Sequence, residues 1–503
     1  MLSGVAPSGQ QGILAGMIRR FLPALRLFAR SLAFSGAVCT ASATLAAETE
    51  GQTIVLRHVD LVDFSEDAPL RLHDGMVIVS QGRITYAGPM SGAPSVRNAR
   101  DVDATGLTAI PGLADMHVHV WDEAELGAYL AHGITTIRNM SGMPFHLDLQ
   151  RRLETGQIDG PRLVTTGPIL NSQGANAQIN HQLVETADAA RKAVADQAEA
   201  GFTRLKVYSN LKRAPYEALL DEARTRGLKI TGHTPEGVRL DGMPFERPFS
   251  IGFEEILDDG FETIEHVESI LWHGLADGRD DGAARALARR IAASGTAVTP
   301  TLVAHHNLVM MARTHGAYAD RPGTETLNPV TQATEQEYID VWSKQDAARH
   351  EAKDAWLSRF TRMLAEEGVT LVTGSDSGIF SNVPGISLHE ELALMQRGGM
   401  SPFAVLKAST ANVASVLGET GKAGCLLQGC RADIVLLGCD PLEAIACTRH
   451  VRGVLMGGRW YGPDKLAALQ AAAAQPDPQR TIENLTEGMA AQGTPLDPAA
   501  LGL

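Results

Sequence analysis

Beyond its first 47 residues the chain has no apolar run approaching the roughly 20 residues that a membrane span requires, so no stable membrane insertion is expected for the remainder. It also lacks any close Cys-x-x-Cys pair, and with it the usual spacing of a structural zinc site. Positive charge is short as well: 44 Lys and Arg stand against 58 Asp and Glu, a formal net charge of -14. That acidity argues against nucleic acid and anionic membranes as partners.

The first 47 residues invert this pattern. They hold four arginines (Arg19, Arg20, Arg26, Arg30) and no acidic residue, then a weakly apolar, alanine-rich run from Ser31 to Ala47. This is the layout of a secretory signal cleaved near Ala46 or Ala47, with Met17 opening the more typical version; an amphipathic surface helix is the alternative. Losing four arginines takes the charge from -14 to -18. The expectation is a periplasmic or secreted protein. Of the five cysteines, Cys39 leaves with the signal, and Cys425, Cys430, Cys439 and Cys447 fall within 23 residues. In an oxidising compartment they can form up to two disulfides, with three pairings open.

At 503 residues the chain can build one large domain and a smaller one. Short β-rich runs occupy Thr53 to Asp63, Met76 to Val79, Arg83 to Ala87 and Ala104 to Ile110, and two more, Asp433 to Leu437 and Val451 to Trp460, lie over 300 residues later. Neither group suffices alone, so the two ends are expected to pair. Between them a short apolar strand followed by an amphipathic helical stretch recurs, the pattern of a parallel sheet. Eight strands are expected: Leu113 to Val120, Thr135 to Met140, Leu163 to Leu170, Arg204 to Ser209, Lys229 to His233, Thr263 to Val267, Ala297 to Val303 and Thr370 to Asp376. Eight such units make an α/β fold, a TIM (β/α)8 barrel, here with a small β-sandwich domain formed by both ends of the chain. The expected division is 1–47 signal peptide, 48–110 and 415–462 the two parts of the sandwich, 111–414 the barrel, and 463–503 a C-terminal helix with a loose tail.

Ionisable residues gather where these strands end. His117 and His119 are two apart on strand 1 and share a face. Lys206 falls on strand 4, His233 ends strand 5, His266 lies on strand 6 and Asp376 ends strand 8. In such a barrel the C-terminal strand ends converge on one site. Four imidazoles, a carboxylate and a lysine suit Zn²⁺, and also Mn²⁺, Co²⁺ or Ni²⁺. One ion would leave ligands unused, whereas two ions about 3.5 to 4 Å apart would use them all. A protonated lysine would be repelled, so Lys206 fits only if carbamylated to a bridging carboxylate.

The segments PGLADMHVHV, GITTIRNM, GPRLVTTGPIL, RLKVYS, TGHTPEG, TIEHVES, VTPTL, LVTGSDSG and RADIVLL together resemble the amidohydrolase superfamily, in its binuclear branch of imidazolonepropionase-like and Xaa-Pro dipeptidase-like enzymes. The resemblance implies that His117, His119 and Asp376 hold one metal, that His233 and His266 hold the second, and that carbamylated Lys206 bridges them. It further implies hydrolysis of an amide, in a peptide-like or N-acyl amino acid substrate, by a metal-bridging hydroxide whose proton Asp376 accepts. Tyr208, His181 and Arg138 are the expected substrate contacts. Where the family usually has Asp after that arginine, this chain has Asn139. No organic cofactor is called for, the partner is a small-molecule or dipeptide-like substrate, and a homo-oligomer is left open.

Three alternatives remain. Glu236 lies three residues after His233, the His-x-x-Glu arrangement of the superfamily's mononuclear deaminases, which would make Lys206 incidental. A lactone or aryl ester is an alternative substrate, because loops rather than the metal site set specificity. A non-catalytic scaffold is disfavoured by the presence of all six ligand positions.

Overall fold

The computed structural model describes residues 52–237 and 249–495. The expected signal segment and the end of the tail lie outside the described residues. Three antiparallel strands open the chain: β1 (Ile54–Asp63), β2 (Leu70–Ser80) and β3 (Arg83–Pro89). Gln81 and Gly82, both at positive φ (51° and 71°), make the two-residue turn between β2 and β3, the geometry that matches strand twist in tight hairpins. Next come β4 (Arg100–Asp103) and β5 (Thr108–Pro111), both parallel to β1.

The chain then enters a series of parallel strands separated by helices. β6 (Leu113–Val118), β7 (Ile134–Asn139) and β8 (Arg162–Thr165) form a three-stranded sheet. β9 (Ile169–Asn171), β10 (Gln182–Leu183), β11 (Arg204–Val207), β12 (Lys229–Gly232), β13 (Phe261–Glu265) and β14 (Ala297–Thr299) form a six-stranded one, in the order β10-β9-β11-β12-β13-β14. The helices follow local rules. Ala187–Ala200 starts at Thr186, whose hydroxyl accepts the Ala189 N–H, ends on Gly201 at φ 105°, and buries Ala190, Ala193, Val194 and Gln197 along one stripe.

Three expected strands differ, and the ring is not closed by a continuous ladder. Strand 3 is split: β8 pairs with β7 while β9 pairs with β11. Pro168 has no N–H to give, and the Thr166 and Gly167 N–H groups go in opposite directions, to Asn139 O (3.0 Å) and Arg204 O (2.8 Å). Strand 8 survives only as the single bridges Val298 with Leu371 and Val118 with Ser377. Between them the Asp115 carboxylate accepts the Ser375 N–H at 2.9 Å, a bond a ladder would otherwise use. The seventh strand also stops early, at Thr299, because helix Leu302–Arg313 begins there.

That helix opens an insertion with Pro329–Trp342 and Ala347–Glu366, packed partly on its own cluster of Leu308, Met311, Ala312, Ile339 and Trp342. The chain returns through β15 (Ile434–Leu437), β16 (Val451–Met456) and β17 (Arg459–Tyr461). β15 pairs antiparallel with β5, so both chain ends join edge to edge in one sheet, β17-β16-β15-β5-β1-β2-β3, with β4 beside β1. The strand pairing is thus that of a single eight-stranded sheet, where a sandwich was expected. Two disulfides flank it, Cys425–Cys430 and Cys439–Cys447, out of the three pairings left open. The tail holds two helices, Pro463–Ala473 and Pro478–Ala491. No helix among the described residues is long and apolar enough to cross a membrane.

Candidate metal centre

The six residues singled out as ligands lie together. His117 ends in β6 and His119 just beyond it; Lys206 is in β11, His233 follows β12, His266 follows β13, and Asp376 precedes Ser377, the partner of Val118. Asp376 Oδ1 stands 3.0 Å from His119 Nε2 and 3.3 Å from His117 Nε2, and Lys206 Nζ lies 3.2 Å from His117 Nε2. The His266 ring is 4.6 Å from that of His117 and 4.4 Å from that of His233, centroid to centroid. One potential ligand atom each from His117, His266 and Asp376 falls within 4.8 Å of the others.

What orients the imidazoles is a set of outer partners, one for each Nδ1. His117 Nδ1 meets Glu265 Oε2 at 2.7 Å, His119 Nδ1 meets Ser141 Oγ at 2.9 Å, His266 Nδ1 meets Thr301 Oγ1 at 2.6 Å, and His233 Nδ1 meets Ser269 Oγ at 3.4 Å. The other ring nitrogen of each is thereby left for the centre. Such support is typical of metal-bound histidines. Burial holds all four imidazoles below their usual pKa, those of His117 and His233 far below, so they offer lone pairs instead of protons. Burial works the other way on Asp376, but the surrounding His117 and His119 prevail and keep its carboxyl below the usual range. Lys206, 1% exposed, is pushed down by burial to about 8. Neutral imidazoles beside an ionised carboxylate make a donor set that fits divalent cations.

Asp376 sits in an unusual backbone state, φ 56°, and so do Phe380 (51°) and Ser381 (61°). Non-glycine residues adopt this region only when held there. Its own N–H donates to His117 O at 2.7 Å, and Asn382 Nδ2 donates to its carbonyl at 3.1 Å. The insertion supplies the rest: Asn307 Nδ2 donates to Asn382 Oδ1 (2.8 Å), Arg321 to Ser381 O (2.7 Å), and the Phe380 N–H to Glu335 Oε2 (2.6 Å).

The expected substrate contacts fare differently. Tyr208 borders the cluster, its ring 3.9 Å from that of His233, and His181 lies beyond it, 4.6 Å from Tyr208. His181 Nε2 is buried and finds no hydrogen-bond partner among the described residues. Arg138 is placed otherwise than expected. It is wholly buried and its donors are taken by Met116 O (2.9 Å), Glu262 (3.2 Å), Thr263 Oγ1 (2.8 Å) and Glu265 Oε1 (2.8 Å), so it supports Glu265 and presents no free fork to a substrate. Asn139 turns to the Val120 N–H (3.0 Å) and Thr165 (3.1 Å), which removes the local ion pair an aspartate would make with Arg138. Glu236, 1% exposed, accepts from Trp272 Nε1 at 2.5 Å.

Sequence reasoning missed Glu265. It precedes His266, ends β13 and is fully buried, and its second oxygen also accepts from Thr231 Oγ1 at 2.9 Å. The available signal was an acid at a strand end, in period-two register with Thr263 and next to a ligand.

The family model described as the amidohydrolase family matches residues 108–461. Among solved structures, bottromycin amidohydrolase is similar at a TM-score of 0.67 and 24% identity, over 95% of this chain and 97% of that one. A Xaa-Pro dipeptidase with methionine in its active site gives 0.59 and 19%, over 82% of this chain and all of that one (100%). These neighbours imply the TIM-barrel fold. Curated relatives match locally: a 5-methylthioadenosine/S-adenosylhomocysteine deaminase of Symbiobacterium thermophilum at 48% identity over 46 residues, and an imidazolonepropionase of Methylobacterium sp. at 41% over 66. Those matches cover 9% and 13% of this chain and only 11% and 16% of the relatives' own lengths.

Proposed function

The chain belongs to the amidohydrolase family, and from that premise we propose that it hydrolyses a carbon–nitrogen bond, an amide of a peptide-like or N-acyl amino acid substrate, using two divalent metal ions. The observation that carries the reading is the clustering of four imidazoles, the Asp376 carboxylate and the buried Lys206 amine around one spot. When bound, two zinc-like cations would polarise the scissile carbonyl and lower the pKa of the attacking water. His117, His119 and Asp376 would hold one, and His233 and His266 the other.

Lys206 takes part as a carbamate. Its lowered pKa makes the neutral amine accessible; that nitrogen would bond the carbon of CO₂ with release of one proton, which would supply a second anionic ligand beside His117. Asp376 would take a proton from the attacking water and hand it to the leaving nitrogen. His181 and Tyr208 would bound the substrate side. Similarity to bottromycin amidohydrolase and to a Xaa-Pro dipeptidase supports the amide class. Export to an oxidising compartment is supported by the two disulfides.

The second reading is a mononuclear deaminase working through Glu236, favoured by the local match to a deaminase. Counting metal per chain in purified protein, and assaying Lys206→Ala and Glu236→Ala on dipeptide, N-acyl amino acid and lactone panels, separates the two. Two metals per chain and loss of hydrolysis in Lys206→Ala alone support the proposal. One metal per chain, with loss in Glu236→Ala alone, refutes it.

A further inference from the structure

The C-terminal helix Pro478–Ala491 lies outside the strand-and-helix series, yet it is pinned to the loops that carry the candidate centre. Arg480 donates twice to Asp122, at 2.7 Å from both Nε and Nη2, and the Asp122 side chain is fully buried. Asp122 stands three residues after His119, with Trp121 between them stacked on the His119 ring (12° between planes) and donating to Gly378 O at 2.9 Å. Thr481, also fully buried, accepts from Asn328 at the head of the insertion helix that bears Glu335. Gly488 packs so closely on Met143 that an added Cβ would lie 2.6 Å from its sulfur, and Met143 is two residues past Ser141, the partner of His119.

The helix then runs into Gln492. Its Nε2 donates to Asn180 O at 3.1 Å, and its main-chain carbonyl accepts from the Gln182 side-chain Nε2, also at 3.1 Å. These two bonds bracket His181, whose Nε2 is buried without a partner among the described residues and whose ring faces Tyr208 at 4.6 Å. Gln182 is itself held from behind by Gln197 (2.9 Å). A residue on the tail thus holds the Asn180 backbone on one side of a histidine left with an unused nitrogen, and the Gln182 side chain on the other.

We propose that the Pro478–Gln492 segment is a strap whose Gln492 positions His181 at the substrate side of the centre, so that substrate selectivity depends on a segment outside the barrel. This rests on the amide-hydrolase reading only for its kinetic part. The half-buried hydrogen-bond pair concerns ground-state placement, away from the reacting atoms, so its loss should appear in KM and leave kcat in place.

The test uses the full, metal-loaded chain with Gln492→Ala, Gln182→Met, His181→Ala and the Gln492→Ala/His181→Ala double variant. Amide exchange in residues 176–184 should accelerate in the first two variants, with 117–119 unchanged and metal content unaltered. On any amide that the unaltered protein cleaves, Gln492→Ala should raise KM about tenfold with kcat within about twofold, and add nothing once His181 is gone, as expected of coupled residues. Unchanged exchange at 176–184 overturns the strap, whatever the activity. Additive effects in the double variant overturn the link to His181. Faster exchange with no amide cleaved by any form supports the strap and sinks the amide-hydrolase reading instead.

Discussion

Replacing Glu265 by Gln tests the orientation of the ligands with the least change of shape. Glu265 is buried, accepts the His117 Nδ1–H at 2.7 Å with one oxygen, and receives Arg138 (2.8 Å), Thr231 (2.9 Å) and Thr263 with the other. A glutamine has only one acceptor, and either placement fails. With its oxygen toward His117, its NH₂ faces Arg138 donor against donor. With its NH₂ toward His117, Nδ1 must become the acceptor, the proton moves to Nε2, and the lone pair meant for a cation is lost. Arg138 would keep only Glu262, at 3.2 Å, as its charged partner. Breaking one member of a buried ion pair costs about 3–5 kcal/mol, and loss of a partner behind a metal-bound histidine typically costs about 10–100-fold in metal affinity or activity. Thermal unfolding of metal-free protein reads the first term and competitive zinc titration the second. Wild-type affinity and an unfolding midpoint within about 1 °C of wild type would refute the reasoning.

Asn382→Ala should release the Asp376 backbone: it strands the Asn307 amide and removes a donor from the Asp376 carbonyl, a cost of about 1–3 kcal/mol. A fall in kcat with an unchanged far-ultraviolet spectrum is the expected outcome. Removing metal with a chelator and restoring it should abolish and recover hydrolysis, and recovery should be faster with added bicarbonate if Lys206 is carbamylated; equal rates without CO₂ count against that. The buried histidines should contribute acid sensitivity to the metal-free fold: burial holds His132 and His146 to about 4 and His181 to about 3, whereas unfolded histidines titrate near 6.5. The unfolded state therefore binds more protons below pH 6.5, and each such residue removes up to ~1.4 kcal/mol per pH unit until its folded pKa is reached. Urea midpoints at pH 7.5 and pH 5 check the sign. Glu125 and Glu391, raised by burial to about 8, oppose this by gaining protons in the folded state first, so the sign is read from the difference: on going from pH 7.5 to pH 5 a His132→Asn variant should keep more stability relative to wild type.

The six candidate ligands were legible because each is tied to a strand end, and a strand end can be located from apolar runs and turn residues. Their outer partners were less so. Ser141, Ser269 and Thr301 are short hydroxyls in loops, and nothing in a hydroxyl's sequence position says which ring it will meet. Arg138 shows the complementary failure: its place on β7 was visible, but a long side chain can run several ångströms back into the barrel, and four buried acceptors drew it there. The breaks in strands 3 and 8 escaped notice because propensity reports extension, not whether each N–H finds the same neighbour throughout. The tail read as a loose end because its composition offers little to bury, whereas polar anchors such as Arg480 to Asp122 hold it.

The pairing of β5 with β15 has a consequence for how the chain is made. Pro111 and Ile434 are register partners more than 300 residues apart, so a ribosome must emit nearly the whole polypeptide before that edge is covered. Until then the edge of Thr108–Pro111 that β15 will cover is an open template for another strand. A chaperone or an export factor that keeps the early segment extended would be guarding this edge above all.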